Sequence, residues 1–146
     1  MKKHYYAYGE FLEDLKILVQ KIDRPFDTIL PIARGGLTMG HMLGEHYNIR
    51  KVYAINSIGY DDTTKLDKVW IFNVPDLSSA KSVLIVDDIV DSGDTLMEVL
   101  DTLHERFPQV TFFVASIFYK SSAKIKPDWY VKEATEWIDF FWSVDL

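Results

Sequence analysis

Val83–Thr95, VLIVDDIVDSGDT, joins an apolar run to paired carboxylates, a third acid and a turn of small residues. A turn that opens a helix presents free backbone N–H groups, and the helix dipole adds partial positive charge, so a phosphate is welcome there. Ser92 and Thr95 supply hydroxyl donors, Asp94 lies between them, and Gly93 lets the backbone approach closely or take a positive φ. Asp87 and Asp88 stand next to this anion site. Two carboxylates beside a phosphate repel it unless a divalent cation or sugar hydroxyls intervene. A phosphorylated sugar accompanied by Mg²⁺ meets these requirements together. The plainer alternative is a capped helix after a strand with acids at its mouth.

Hydrophobic periodicity supplies the elements that position these groups. Phe11, Leu12, Leu15, Leu18, Val19 and Ile22 predict an amphipathic helix over residues 8–22. Residues 28–32 form a short apolar run that ends in Ala33-Arg34-Gly35-Gly36, and a helix is expected over 37–47. Residues 51–58 are β-rich, 59–68 are a polar loop, 69–73 resume a strand pattern and 75–81 connect onward. Val83-Leu84-Ile85-Val86 has the continuous apolar character of a buried parallel strand over 82–87. A helix with Leu96, Val99, Leu100 and Leu103 on one stripe follows, then a buried strand over 110–118. This order predicts an α/β fold with a largely parallel sheet flanked by helices. Ligands of such sheets sit beyond the carboxyl ends of the strands, where both glycine turns and the acids fall.

The array in residues 83–95 resembles the phosphoribosyl-diphosphate signature of type I phosphoribosyltransferases, with Asp94 where many members carry Gly. A receiver-domain acidic pair is the competitor, but that pair sits near the chain start. The resemblance implies that Arg34, Gly35 and Gly36 form the diphosphate loop, with a cis non-proline peptide around Arg34. It assigns Asp87, Asp88, Ser92, Gly93, Asp94 and Thr95 to the phosphoribosyl donor, with Asp87 and Asp88 meeting Mg²⁺ directly or through water. Asp91 is its choice of general base at purine N7, although sequence alone does not separate Asp91 from its neighbours. Phe118-Tyr119-Lys120 and Glu136-Trp137-Ile138-Asp139 resemble the base-recognition parts of the 6-oxopurine members, above all the short bacterial xanthine-guanine enzymes. Lys120 would donate to purine O6, Trp137 would stack on the ring, and backbone near Ile138 would read the edge around C2. The family implies one phosphoribosyltransferase domain over 1–146, with a short purine hood at about 120–146, and a homodimer or homotetramer. The polar loop is expected to close over the donor, with Lys65 and Lys68 as candidates for its diphosphate contact.

Charge and composition narrow the field further. The chain of 146 residues has a net charge of −6, which disfavours a protein that works by neutralising a nucleic-acid backbone. Cysteine is absent, so there is no disulfide framework, thiol nucleophile or thiolate zinc site. No apolar run approaches a membrane span, and residues 1–8 lack the apolar core of a secretory signal, so a cytoplasmic chain is expected. The aromatics Tyr5, Tyr6 and Tyr8 look exposed and suggest a subunit contact. The expected reaction moves 5-phosphoribosyl from its 1-diphosphate to guanine, xanthine or hypoxanthine. Transfer to adenine, uracil or orotate, or a non-catalytic regulator sensing the donor, are the alternatives.

Overall fold

The computed structural model describes residues 2–59 and 69–146. In chain order the elements are β1 (Lys3–Tyr6), α1 (Tyr8–Lys21), β2 (Thr28–Ala33), α2 (Leu37–Tyr47), β3 (Ile55–Gly59) and β4 (Val69–Phe72). They continue with β5 (Ser82–Val90), α3 (Asp94–Arg106), β6 (Thr111–Tyr119), β7 (Trp129–Glu133) and β8 (Trp137–Phe140). Six strands form one sheet in the order β4-β3-β2-β5-β6-β7, and β1 pairs with β8 in a separate two-stranded sheet. All pairings are parallel except that of β3 with β4.

The two central strands explain why the sheet is covered on both faces. Ile29, Leu84 and Val86 pack with Phe11, Leu15 and Leu18 of α1 and Met39 and Leu43 of α2. Leu30, Val83 and Ile85, the alternate residues, pack with Leu96, Val99 and Leu103 of α3. Period-two side chains thus feed two cores, and each fully buried Leu or Ile stabilises by roughly 1.5–3 kcal/mol. Pairing of β2 with β5 brings their carboxyl ends side by side, with Pro31 opposite Val86. The two loops singled out in the sequence therefore meet at one end of the sheet.

Several expectations need correction. β5 does not stop at Asp87 but runs to Val90, so both adjacent acids lie within the strand. Pairing with β6 extends it, since Asp87 stands opposite Ser116 and Val90 opposite Tyr119. The β-rich run from Lys51 becomes a strand only at Ile55, and Val52 makes an isolated bridge to Ile29. Tyr6 is not a surface aromatic: it is fully buried, while Tyr5 and Tyr8 are exposed. Strands β1, β7 and β8, each four or five residues long, were not expected from the sequence. The polar loop beyond Gly59, with Lys65 and Lys68, lies outside the described residues. Among the described residues, no helix is long and apolar enough to cross a membrane.

Candidate active site

The site is built where β2 and β5 end. The Ala33–Arg34 peptide is cis, and Gly35 and Gly36 lead into α2. A Cβ on Gly35 would run into the Asp88 carboxylate, and one on Gly36 into the Val86 carbonyl. Gly36 is required by the close approach of its backbone to β5, whereas a side chain at Gly35 would have to displace the Asp88 carboxylate. Arg34 is exposed and makes no ion pair among the described residues, so its guanidinium is available to an anion.

Asp87 and Asp88 are half-buried, and the Asp88 amide donates to Asp87 Oδ1 at 2.9 Å. Burial pushes the Asp87 carboxyl well above the usual range, and the neighbouring Asp88 charge adds to it. Burial raises Asp88 as well. Such a pair gains from a divalent cation or from hydroxyl donors. Among the described residues, no group of three or more His, Cys, Asp or Glu forms a ready-made metal cage.

The turn after β5 passes through Gly93 at φ 89°, the residue that caps α3, with no side chain capping the helix start. A small cavity of about 90 Å³ is lined there by Asp87, Asp91, Ser92, Gly93 and Thr95. Asp94, grouped with these residues in the sequence, does not line this cavity. Lys124 Nζ lies 2.6 Å from its carboxylate, which holds that carboxyl below its ordinary range. The Lys124 amide also donates to the Ser92 carbonyl at 2.9 Å. Lys124 thus offsets the acid at the start of α3 and ties the turn to the chain after β6; no spacing in the sequence marked it.

A larger cavity of about 540 Å³ adjoins the first, lined by Ile89, Asp91, Lys120, Glu136, Trp137 and Ile138 among others. Lys120 Nζ and Asp91 Oδ1 are 2.8 Å apart in its wall. Trp137 is 57% exposed and borders the cavity, while Phe140 is buried with Trp142 stacked on it at 4.8 Å. Of the C-terminal aromatics, Phe140 belongs to the core and Trp137 is free to meet a ligand. A third cavity, of about 610 Å³, places Arg34, Gly35 and Asp88 against Trp142, Ser143, Val144 and Asp145. No feature of the sequence placed that tail at the Arg34 loop. Asp91 lines both the small cavity and the 540 Å³ cavity, and so stands at their junction.

The sequence as a whole agrees with this geometry. A family profile described as "Phosphoribosyl transferase domain" matches residues 3–146. The chain belongs to the phosphoribosyltransferase family. Among relatives of this phosphoribosyltransferase is a xanthine-guanine phosphoribosyltransferase of Idiomarina loihiensis, 30% identical over 121 residues, covering 81% of this chain and 71% of that protein. A solved structure of the Helicobacter pylori xanthine-guanine-hypoxanthine phosphoribosyltransferase superposes with a TM-score of 0.90 at 43% identity, covering 99% of this chain and 96% of that one. A purine phosphoribosyltransferase from Pyrococcus horikoshii gives 0.82 at 26% identity, over 100% and 97% of the two chains. The phosphoribosyltransferase fold, with its mostly parallel sheet between helices, is common to these structures.

Proposed function

We propose that this phosphoribosyltransferase moves the 5-phosphoribosyl group of 5-phosphoribosyl 1-diphosphate to a 6-oxopurine. The ion pair of Lys120 and Asp91 carries this reading. A cation that only donates and a carboxylate that only accepts stand side by side, as the O6 acceptor and N7–H donor of a 6-oxopurine require. Adenine would turn its 6-amino donor toward Lys120 and lose the match. The exposed pair is cheap to open for a ligand, since such pairs contribute only about 0–1 kcal/mol.

In the reaction the bond from ribose C1 to the diphosphate oxygen breaks and a bond from purine N9 to C1 forms. The displaced proton passes from N7 to Asp91, whose place between the two cavities suits a general base. Arg34 and the backbone of Gly35 and Gly36 hold the leaving diphosphate, for which a guanidinium gives bidentate contact. Ser92, Gly93, Asp94 and Thr95 cradle the 5-phosphate at the start of α3, and Trp137 stacks on the purine while backbone at Ile138 meets its C2 edge. Asp87 and Asp88 meet the ribose hydroxyls and, directly or through water, Mg²⁺. Two adjacent half-buried carboxylates fit Mg²⁺, which keeps waters and shares its shell with substrate phosphates. When bound, it would offset charge on the diphosphate.

Measured diphosphate release with guanine, xanthine, hypoxanthine, adenine, uracil and orotate in turn tests the reading. Turnover confined to the 6-oxopurines is expected; efficient use of adenine would overturn the choice of base and leave the donor assignment standing.

A further inference from the structure

The side chain of Lys132, the fourth of the five residues of β7, touches none of the cavities described above, yet it joins the elements that form the base pocket. Its Nζ lies 3.0 Å from Glu10 Oε2 and 3.1 Å from Asp14 Oδ2. Glu10 Oε1 meets His4 Nε2 at 2.7 Å, and the Tyr6 hydroxyl donates to Asp14 Oδ2 at 2.5 Å. Asp14 is 3% exposed on the otherwise apolar stripe of α1. Four elements, β1, α1, β7 and through β1 the hood strand β8, are thus tied by one charged network.

The network bears on the pocket through the ring of Tyr6. That ring is fully buried and packs edge-on against Phe118 at 5.0 Å and Phe140 at 5.7 Å. Phe118 is two residues before Lys120 on β6, and Phe140 is three after Trp137 on β8. The Lys132 ammonium stands 5.9 Å and 6.0 Å over the rings of Tyr6 and Phe118. Parallel pairing of β1 with β8 sets Lys3 beside Trp137 and His4 beside Ile138. The wall that carries Lys120 and the wall that carries Trp137 and Ile138 therefore meet on one wedge, whose hydroxyl is held by Asp14.

We propose that Lys132, acting through Asp14 and Tyr6, is a positioning residue that sets the alignment of the two walls of the base pocket and so governs purine affinity. The proposal rests on the reading of that cavity as the purine site. An apolar residue would tie these strands as firmly at lower desolvation cost, whereas directional charged bonds select one arrangement of the Tyr6 ring. Burial opposes the charge on Lys132, but Glu10 and Asp14 outweigh it and hold the ammonium above its ordinary range. Among the described residues, neither Arg34–Gly36 nor Ser92–Thr95 bonds to His4, Tyr6, Glu10, Asp14 or Lys132. A disturbance of the network should reach the purine and spare the donor.

The test measures KM for guanine and for the donor, kcat and melting temperature in the full chain. Lys132→Met alone strands a buried carboxylate and serves only as the unfolding-prone reference. Lys132→Met with Asp14→Asn removes both charges. Guanine KM in this pair variant should rise about 10-fold, with donor KM and kcat within about threefold, as for loss of binding common to ground and transition states. Lys132→Arg should restore guanine KM to near the wild-type value. Tyr6→Phe keeps the ring and removes only the hydroxyl, so it should raise guanine KM by about threefold and supplies the answer if the pair variant does not fold. A folded pair variant or Tyr6→Phe with unchanged guanine KM, or with guanine and donor KM rising together, overturns the proposal. A wild-type protein that uses the donor but no purine overturns the reading of the pocket itself, which is visible before any variant is made.

Discussion

At the scale of single residues, Asp91 and Lys120 must be considered together because each is the other's partner when no base is bound. Asp91→Asn should lower kcat by about 10²-fold or more, the usual contribution of a general base, while donor binding changes little. Near-normal turnover would remove Asp91 from that role. Lys120→Ala should erode the preference for guanine over adenine, since it removes the charged donor that adenine would leave unpaired in a confined pocket. Trp137→Ala, by contrast, should weaken all purines alike, because stacking is indifferent to the 6-substituent. Arg34 is proposed for the other half of the reaction. Arg34→Ala is expected to weaken binding of donor and diphosphate more than of purine, and titration calorimetry that finds equal losses would show the diphosphate loop misassigned.

At the scale of elements, the junction of β2 with β5 sets the geometry of both glycine-bearing loops, and Asp27 closes its far end. The carboxylate accepts from the Lys81 amide at 2.9 Å, the Ser82 amide at 3.2 Å and the Thr28 hydroxyl at 2.7 Å. Burial alone would raise this carboxyl, but the three hydrogen bonds outweigh it and hold it below its ordinary range. A depressed native pKa contributes stability above the unfolded pKa, near ~4, and loses it as pH falls through the native value. Asp27→Asn should therefore cost about 1 kcal/mol at neutral pH. Denaturant melts at decreasing pH should show that gap closing below about pH 4, and a gap independent of pH would refute the account. On the same element scale, Asp87 and Asp88 were legible as acids from the sequence, but their place inside β5 was not. An apolar run tells where burial is demanded, whereas the pairing of β5 with β6 through Val90 depends on a neighbour far along the chain.

At the scale of the whole molecule, cooperativity should follow the sheet order. β5 pairs along most of its length with β6 and also with β2, and it is covered by helices on both faces. β4 is an edge strand of four residues with Trp70 exposed. Amides of β5 and β6 should exchange with solvent only on global unfolding, and those of β4 by local opening. Hydrogen exchange read by mass spectrometry checks this, and equal protection of β4 and β5 would contradict it.

The sequence by itself determined the α/β order and the array of residue types in 83–95, because both depend on neighbours a few positions apart. An apolar run, adjacent acids and a glycine before a helix act locally, through strand burial, charge repulsion and free helix amides. The glycine turn before α2 and the candidates Lys120 and Trp137 were legible too, as residue types, but not as members of one cavity wall. Only the tertiary structure decided that Lys120 meets Asp91, that Lys124 answers Asp94, and that the tail after Trp142 reaches the Arg34 loop. The same holds for β1, whose Lys3 lies beside Trp137 at the opposite end of the chain, and for the burial of Tyr6 between strands. A strand as short as β1 carries little pattern of its own; its existence depends on the distant partner that satisfies its backbone hydrogen bonds.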